Sequence, residues 1–463
     1  MTADNICLLY SLFDIEQTLK GLLFYFSKFN HKKGDIMKKV IYFSVYEHTL
    51  VIHENQLISR KFIVLKNSEN QIVAWTDFHK YISAGKRKYA RKISDDGNKR
   101  HYYVAKLLNY AFFDRYKIKS LRELNPDIVK NFLNEYGMGM LPDDVNSRTE
   151  TTVEVCIRTI LDFIESLYSK NKDVYAFKLS EFYKVVEVRN KHGRIIKKNV
   201  PSFDIRYVPS VKQIFRDMPE SVFTILMDLI IHKHKDILIL VALSAFGGLR
   251  PSECCNVRRQ DSKLGPGIMF SMIDGEIQEI KIDLRKELNL RSDLKNVGTI
   301  KKERVQKIYP AFQNAFYDCY KIYMQHIEGR KYESEYGALT VNKQGKAMTY
   351  NSYYRKFKVV ISELIPLLLN SNDSEAVNYA FLLQENNISP HIFRHWFSVK
   401  LTLFGEDVSG LMFWRGDKSP ESALTYLQNK SDLEKQYTKV NNEIFNYNMW
   451  CSEKYKERKN DRI

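Results

Sequence analysis

Ser389-Pro-His391-Ile-Phe-Arg394-His395-Trp-Phe-Ser398 is the stretch on which the reading of this chain turns. Pro390 suits the first turn of a helix, where its missing N–H is one of the donors left unpaired anyway. His391 and Arg394 stand three apart and so share one helical face. A titratable imidazole beside a permanent planar cation is suited to phosphate chemistry, since the guanidinium holds oxygens while the ring moves a proton. Alone, the pair reads equally well as two polar residues on a solvated face, so its meaning depends on the rest of the chain.

Upstream lies Ala245-Phe-Gly-Gly-Leu-Arg250-Pro-Ser-Glu253. A helix is predicted to end at Gly247-Gly248 and the next to open at Pro251, leaving Arg250 at the junction, free to point into a cleft. Downstream lies Phe413-Trp-Arg-Gly416-Asp417-Lys-Ser-Pro-Glu-Ser-Ala-Leu-Thr-Tyr426. Tyr426 is one of 29 tyrosines and means little by itself.

Taken together, the three segments resemble the tyrosine recombinase family, also called phage integrases. The family's pattern is an Arg in a Gly-Leu-Arg-x-x-Glu turn, a His-x-x-Arg box, a Leu-Gly-His-like turn, and a Tyr nine residues after that last His. Gly248-Leu249-Arg250 with Glu253 matches the first element, His391 and Arg394 the second, and Gly416-Asp417 with Tyr426 the third. The resemblance covers about residues 205–430 in order and spacing. It also implies a lysine on a β-hairpin before the His box. Lys302 is our choice, from Lys302-Glu-Arg-Val-Gln-Lys307-Ile-Tyr-Pro310, with Lys301 and Lys295 as rivals. The chain departs from the family at Asp417, where His or sometimes Trp is usual. There a donor has become an acceptor with negative charge. Either Asp417 is protonated, or it turns away and orients Arg394 or Lys418, or activity is reduced.

The resemblance implies that Tyr426 attacks a backbone phosphate, forming a 3′-phosphotyrosyl ester that keeps the bond energy, so that rejoining needs no ATP. Arg250 and Arg394 would clamp the non-bridging oxygens, a task that divalent metal performs in many nucleases, so no metal or other cofactor is expected. His391 would manage the Tyr426 proton and Lys302 would protonate the leaving 5′-oxygen. The implied partners are double-stranded DNA target sites, with a homotetramer acting on two duplexes and an accessory DNA-bending or directionality protein. The tail, including Glu443–Trp450, would pack on a neighbouring protomer.

Charge agrees with such a partner. Lys and Arg number 72 against 55 Asp and Glu, and the pI is near 9.3, so the surface attracts polyanions. No run of about 18 uninterrupted apolar residues exists, the longest candidates being Ile6–Phe13 and Phe223–Ile231, and no signal peptide is read. Six cysteines in 463 residues do not make a disulfide framework, so reduced thiols and a cytoplasmic, nucleoid-associated protein are expected.

The expected fold class is mainly α with a small β-sheet. Residues 1–90 form a strand-rich N-terminal extension, an arm-type DNA-binding domain or an oligomerisation or structural add-on, with strands about Val40–Val45 and Phe62–Leu65. A charged linker follows at Gly85–Arg100. Residues 95–187 form a helical core-binding DNA domain, with Asn125-Pro126 capping one helix and Val153–Tyr168 forming another. Residues 188–207 are a basic linker, without pattern over 188–200, and 208–463 a mixed, mostly α catalytic domain. Within that domain, strands with turns at Asp274-Gly275 and near Glu303–Gln306 interrupt the helices. Three rival readings remain: a DNA-binding relative that no longer cuts, a type IB topoisomerase-like enzyme, and a non-enzymatic basic scaffold. The Lys, Asn, Ile and Tyr content points to an AT-rich bacterial or mobile-element origin.

Overall fold

The computed structural model describes residues 41–82, 99–142, 144, 148–170, 178–189, 195–207, 218–329, 336–417 and 420. Tyr426, Lys418, the tail Glu443–Trp450, the first 40 residues and most of Gly85–Arg100 lie outside the described residues. The chain divides into two compact units, Met1–His48 with Ile58–Lys212 and Thr49–Leu57 with Gln213–Ile463. The described residues are mainly α with three small sheets.

Most of β1 (Ile41–Ile52) and β2 (Gln56–Asn67) and all of β3 (Ile72–Trp75) belong to the first unit, and the three form one sheet in that order. The runs rich in β-branched and aromatic residues fall in β1 and β2, where such side chains pack well on a pleated surface. Ile41, Phe43, Ile63 and Leu65 enter the same core as helices α1 (Arg100–Asn109), α2 (Pro126–Met138) and α3 (Glu150–Lys170). Asn109 ties strand to helix, accepting from the Phe43 N–H (2.7 Å) and donating to the Phe43 carbonyl (2.9 Å). The extension's strands and the helices therefore share one core. Asn125 caps α2 by accepting from the Ile128 N–H, and Pro126 fills the first turn, as their order predicts.

Within 188–200, read as patternless, residues 188–189 and 195–200 are strand. Strands β4 (Tyr183–Arg189) and β5 (Ile195–Pro201) pair as an antiparallel hairpin from Tyr183↔Pro201 to Arg189↔Ile195. Interspersed Lys and Arg obscure the Val and Ile residues that give these strands their propensity.

The second unit contains α4 (Glu220–Lys233), α5 (Leu238–Gly247), a single turn α6 (Pro251–Cys254), α7 (Gln313–Ile327), α8 (Tyr350–Leu369), α9 (Ser374–Glu385), α10 (Ile392–Leu403) and α11 (Val408–Arg415). A sheet of β6 (Ile268–Ile273), β7 (Glu276–Leu284) and β8 (Arg304–Lys307) completes it. The β6–β7 turn falls at Asp274-Gly275, both in the left-handed region at φ 50° and 84°, as the dipeptide predicts. The turn expected near Glu303–Gln306 is instead strand β8, which pairs Val305 with Asp283 on β7. Gln306 is buried there and donates to the Trp414 carbonyl (2.6 Å), so polar residues that read as a turn are held by tertiary contacts. Helix α5 is buried on every face, and Trp396 of α10 stacks on Phe223 of α4 with ring centroids 4.0 Å apart. This packing fixes the axis of α10 and with it the direction of Arg394. Among the described residues no helix is long and apolar enough to cross a membrane, and Cys156, Cys254, Cys255 and Cys319 are buried free thiols.

Candidate active site

Helix α5 ends where Gly248 turns left-handed at φ 64°, and a Cβ there would meet the Phe397 ring at 2.5 Å. That close approach seats the turn against α10. Arg250 follows in extended conformation and precedes Pro251, the first residue of α6. The fully buried Glu253 accepts from the Arg250 N–H (3.1 Å) and from Arg250 Nη1 (3.1 Å). It also accepts two bonds from Arg304 of β8, at 2.9 and 3.3 Å. Burial pushes the Glu253 carboxyl upward, but Arg304 and Arg250 outweigh it and hold the group below its ordinary value.

Arg394 lies one turn into α10 and is 1% exposed. Its Nη1 donates to the Gly248 carbonyl, and its Nη2 donates to the carbonyl of Arg415 (3.0 Å) and to Asp417 Oδ1 (3.0 Å). Burial, then the neighbouring Arg250 and Arg415, lower its pKa to about 9, which leaves it charged at neutral pH. His391 stands at the start of α10, its ring edge-on to His395 at 4.9 Å. Burial, then His395, Arg394, Arg250 and Arg415, lower its pKa to about 3, so at neutral pH the ring is an uncharged proton acceptor.

Helix α11 ends at Gly416, left-handed at φ 63°, and the Asp417 N–H closes the turn on the Met412 carbonyl (2.9 Å). Asp417 is directed at the arginines, Arg394 among them. Oδ1 accepts from Arg250 Nη2 (2.8 Å) and Arg394 Nη2 (3.0 Å) and lies 3.8 Å from Lys302 Nζ, while Oδ2 lies 3.1 Å from Arg415 Nε. Burial pushes the Asp417 carboxyl up, yet Arg394, Arg415, Arg250 and Lys302 together hold it below the usual range.

Arg250, Arg394, Lys302 and Asp417, drawn from four separate segments, thus meet in one cluster, with His391 in the field of its arginines. Of the three candidate lysines, Lys302 lies at Asp417, whereas Lys295 and Lys301 are exposed. Two participants were not singled out from sequence: Arg415, buried directly before the Gly416-Asp417 turn, and Arg304, which shares Glu253 with Arg250. The one available signal for Arg415 was its place in the last turn of a helix closed by glycine. Among the described residues, no group of three or more His, Cys, Asp or Glu is placed to hold a metal ion.

No protein-family model and no curated protein sequence matches the chain. Solved structures do. One is the XerH site-specific recombinase bound to difH substrate in a pre-cleavage complex, at 14% identity over 71% of this chain and 74% of that one, TM-score 0.41. Another is the Tn1549 transposon integrase in complex with circular intermediate DNA, at 17% identity over 65% and 82%, TM-score 0.40. A third is the XerA recombinase, at 16% identity over 78% and 95%, TM-score 0.31.

Proposed function

We propose that the protein is a tyrosine-type site-specific DNA recombinase that cuts and rejoins DNA through a 3′-phosphotyrosyl ester at Tyr426, without metal or ATP. The observation that carries this reading is the convergence of Arg250, Arg394 and Lys302 on a single anion beside an uncharged His391. Strand transfer through tyrosine needs charge neutralised on a five-coordinate phosphorane, a base for the phenol and an acid for the leaving oxygen. In this reading the phenolic oxygen of Tyr426 bonds to phosphorus as the bond to the 5′-oxygen breaks. The phenol proton passes to His391, and Lys302 delivers a proton to the departing 5′-oxygen. Arg250 and Arg394 hold the non-bridging oxygens throughout. The reverse sequence reseals a strand, so no external energy source enters. Removing either arginine is expected to raise the barrier by about 3 kcal/mol or more, by comparison with lost oxyanion donors. Double-stranded DNA is the partner, bound by phosphate contacts that weaken steeply with salt, and the acting form is a homotetramer on two duplexes.

The test starts from duplexes selected from a random pool by the full-length protein. These are rebuilt with a nick that lets the cleaved fragment diffuse away. A covalent protein–DNA adduct is expected from the natural chain and none from Tyr426→Phe. An adduct that survives in Tyr426→Phe would sink the assignment of the nucleophile. A second reading, a relative that binds DNA but no longer cuts, is favoured by Asp417 lying between the two arginines. Tight sequence-selective binding with no adduct from any nicked site would establish that reading instead.

A further inference from the structure

Resting on the phosphate-clamp reading, we infer that the Asp417 carboxylate is an internal surrogate for the substrate phosphate. It fills the anion seat formed by Arg250, Arg394, Arg415 and Lys302, and must leave it before a backbone phosphate can be held there. A positioning carboxylate that stays in place during the reaction is the alternative, and the geometry separates the two.

The donor inventory of Arg394 comes first. Its Nη2 carries two hydrogens, and both are engaged, one by the Arg415 carbonyl and one by Asp417 Oδ1. Its Nη1 donates to the Gly248 carbonyl. The backbone contacts anchor the guanidinium, so of these three hydrogens the one directed at Asp417 can change partner without unseating the side chain. A phosphate oxygen taking that hydrogen must displace Oδ1.

A single oxygen bridges the two clamp arginines. Oδ1 accepts from Arg250 Nη2 at 2.8 Å and Arg394 Nη2 at 3.0 Å, with Lys302 Nζ at 3.8 Å. The guanidinium fork accepts carboxylate and phosphate oxygens alike, so these donors are as suited to a non-bridging phosphate oxygen as to Oδ1. The fit to the carboxylate is incomplete on the other side. Oδ2 lies 3.1 Å from Arg415 Nε as an ion pair, but it accepts no aligned hydrogen bond. The wider cluster holds five cations, Arg250, Lys302, Arg304, Arg394 and Arg415, against the two carboxylates Glu253 and Asp417. Glu253 is locked between Arg250 and Arg304, whereas Asp417 touches only the cations that a phosphate would claim.

Release needs little movement of the chain. The Asp417 backbone is fixed by its N–H to the Met412 carbonyl after the left-handed Gly416, while its side chain is held by the hydrogen bonds and charges of the surrounding cations. Rotation about the Cα–Cβ bond moves the carboxylate without breaking the backbone hydrogen bond that closes the turn.

The experiment follows binding of inorganic phosphate to the full-length protein by titration calorimetry and by the rise of the melting temperature, with chloride at matched ionic strength as the control. Asp417→Asn keeps the shape and removes the charge. Under the surrogate reading it binds phosphate at least about tenfold tighter than the natural chain, and its melting temperature climbs more steeply with phosphate. Arg394→Gln in the same background cancels that gain. Equal or weaker phosphate binding by Asp417→Asn overturns the inference, because a positioning strut would be lost rather than a competitor. An Asp417→Asn chain that is unfolded without phosphate and folds when phosphate is added supports it. One that stays unfolded at every phosphate concentration overturns it. Since the readout is phosphate binding and not strand cleavage, failure here leaves the recombinase reading to its own adduct test.

Discussion

Replacing Glu253 with glutamine probes how firmly the site is built into the fold. The carboxylate is fully buried and accepts four hydrogen bonds at 2.9–3.3 Å, two from Arg250 and two from Arg304. Glutamine preserves the volume, but it removes the charge and sets an amide N–H₂ against guanidinium donors. Arg304, mostly buried, then loses its counter-ion and Arg250 keeps only Asp417, and breaking a buried pair from one side costs about 3–5 kcal/mol. Against a total stability of about 5–15 kcal/mol, that is a large fraction. Urea unfolding followed by far-UV circular dichroism measures it as a lower midpoint at unchanged slope. Adding Arg304→Gln should return part of the loss, because one of the stranded charges goes with it. A coupling of about 1–3 kcal/mol is expected from the double-mutant cycle. A loss below about 1 kcal/mol in Glu253→Gln, or strict additivity with Arg304→Gln, would refute the account of Glu253 as the shared anchor of both arginines.

Stability should also fall as the solution is acidified. His391 is uncharged in the folded protein down to about pH 3, whereas the unfolded chain takes up its proton near pH 6.5, so between these values the unfolded state binds more protons and acidification favours it. The expected slope from this residue is about 1.4 kcal/mol per pH unit, and Glu253 and Asp417, both held below their ordinary values, add in the same direction. His391→Asn should flatten the profile by about one proton, and an unchanged profile would contradict the burial of a neutral ring. Gly248→Ala should cost about 1–2 kcal/mol for its left-handed backbone and about 1–3 kcal/mol more for the clash with Phe397. Gly275→Ala, at φ 84° with open space around its Cβ, should cost the backbone part alone, so equal losses in thermal unfolding would refute the role of Phe397.

Local chemistry was what the sequence made readable. Asn125-Pro126, Asp274-Gly275 and Gly248 each announce a cap or turn through conformations that few other residues accept, and each appears where its type requires. The site residues Arg250, His391 and Arg394 were legible only as a set, through order and spacing. Other features depend on partners distant in the chain and left no local mark. Gln306 belongs to a strand because Trp414 and β7 hold it, and β4 with β5 hides behind interspersed lysines. Arg304 and Arg415 are two among 72 basic residues, distinguished only by the carboxylates they meet. For Asp417 the sequence left several outcomes open. Four surrounding cations select the ionised one, and no spacing rule could have counted them.

Trp396 gives this molecule a built-in optical gauge. Its indole is pressed face to face on Phe223, two residues along α10 from Arg394, in a setting that excludes water and shifts emission to the blue. Trp414, half-buried, donates to Glu406 at 3.2 Å and lends its carbonyl to Gln306, three residues before Asp417. Of the chain's four tryptophans, one therefore reports on the rigid frame and another on the rim of the site. With Trp75 and Trp450 replaced by phenylalanine, these two indoles would follow the entry of an anion with no label attached.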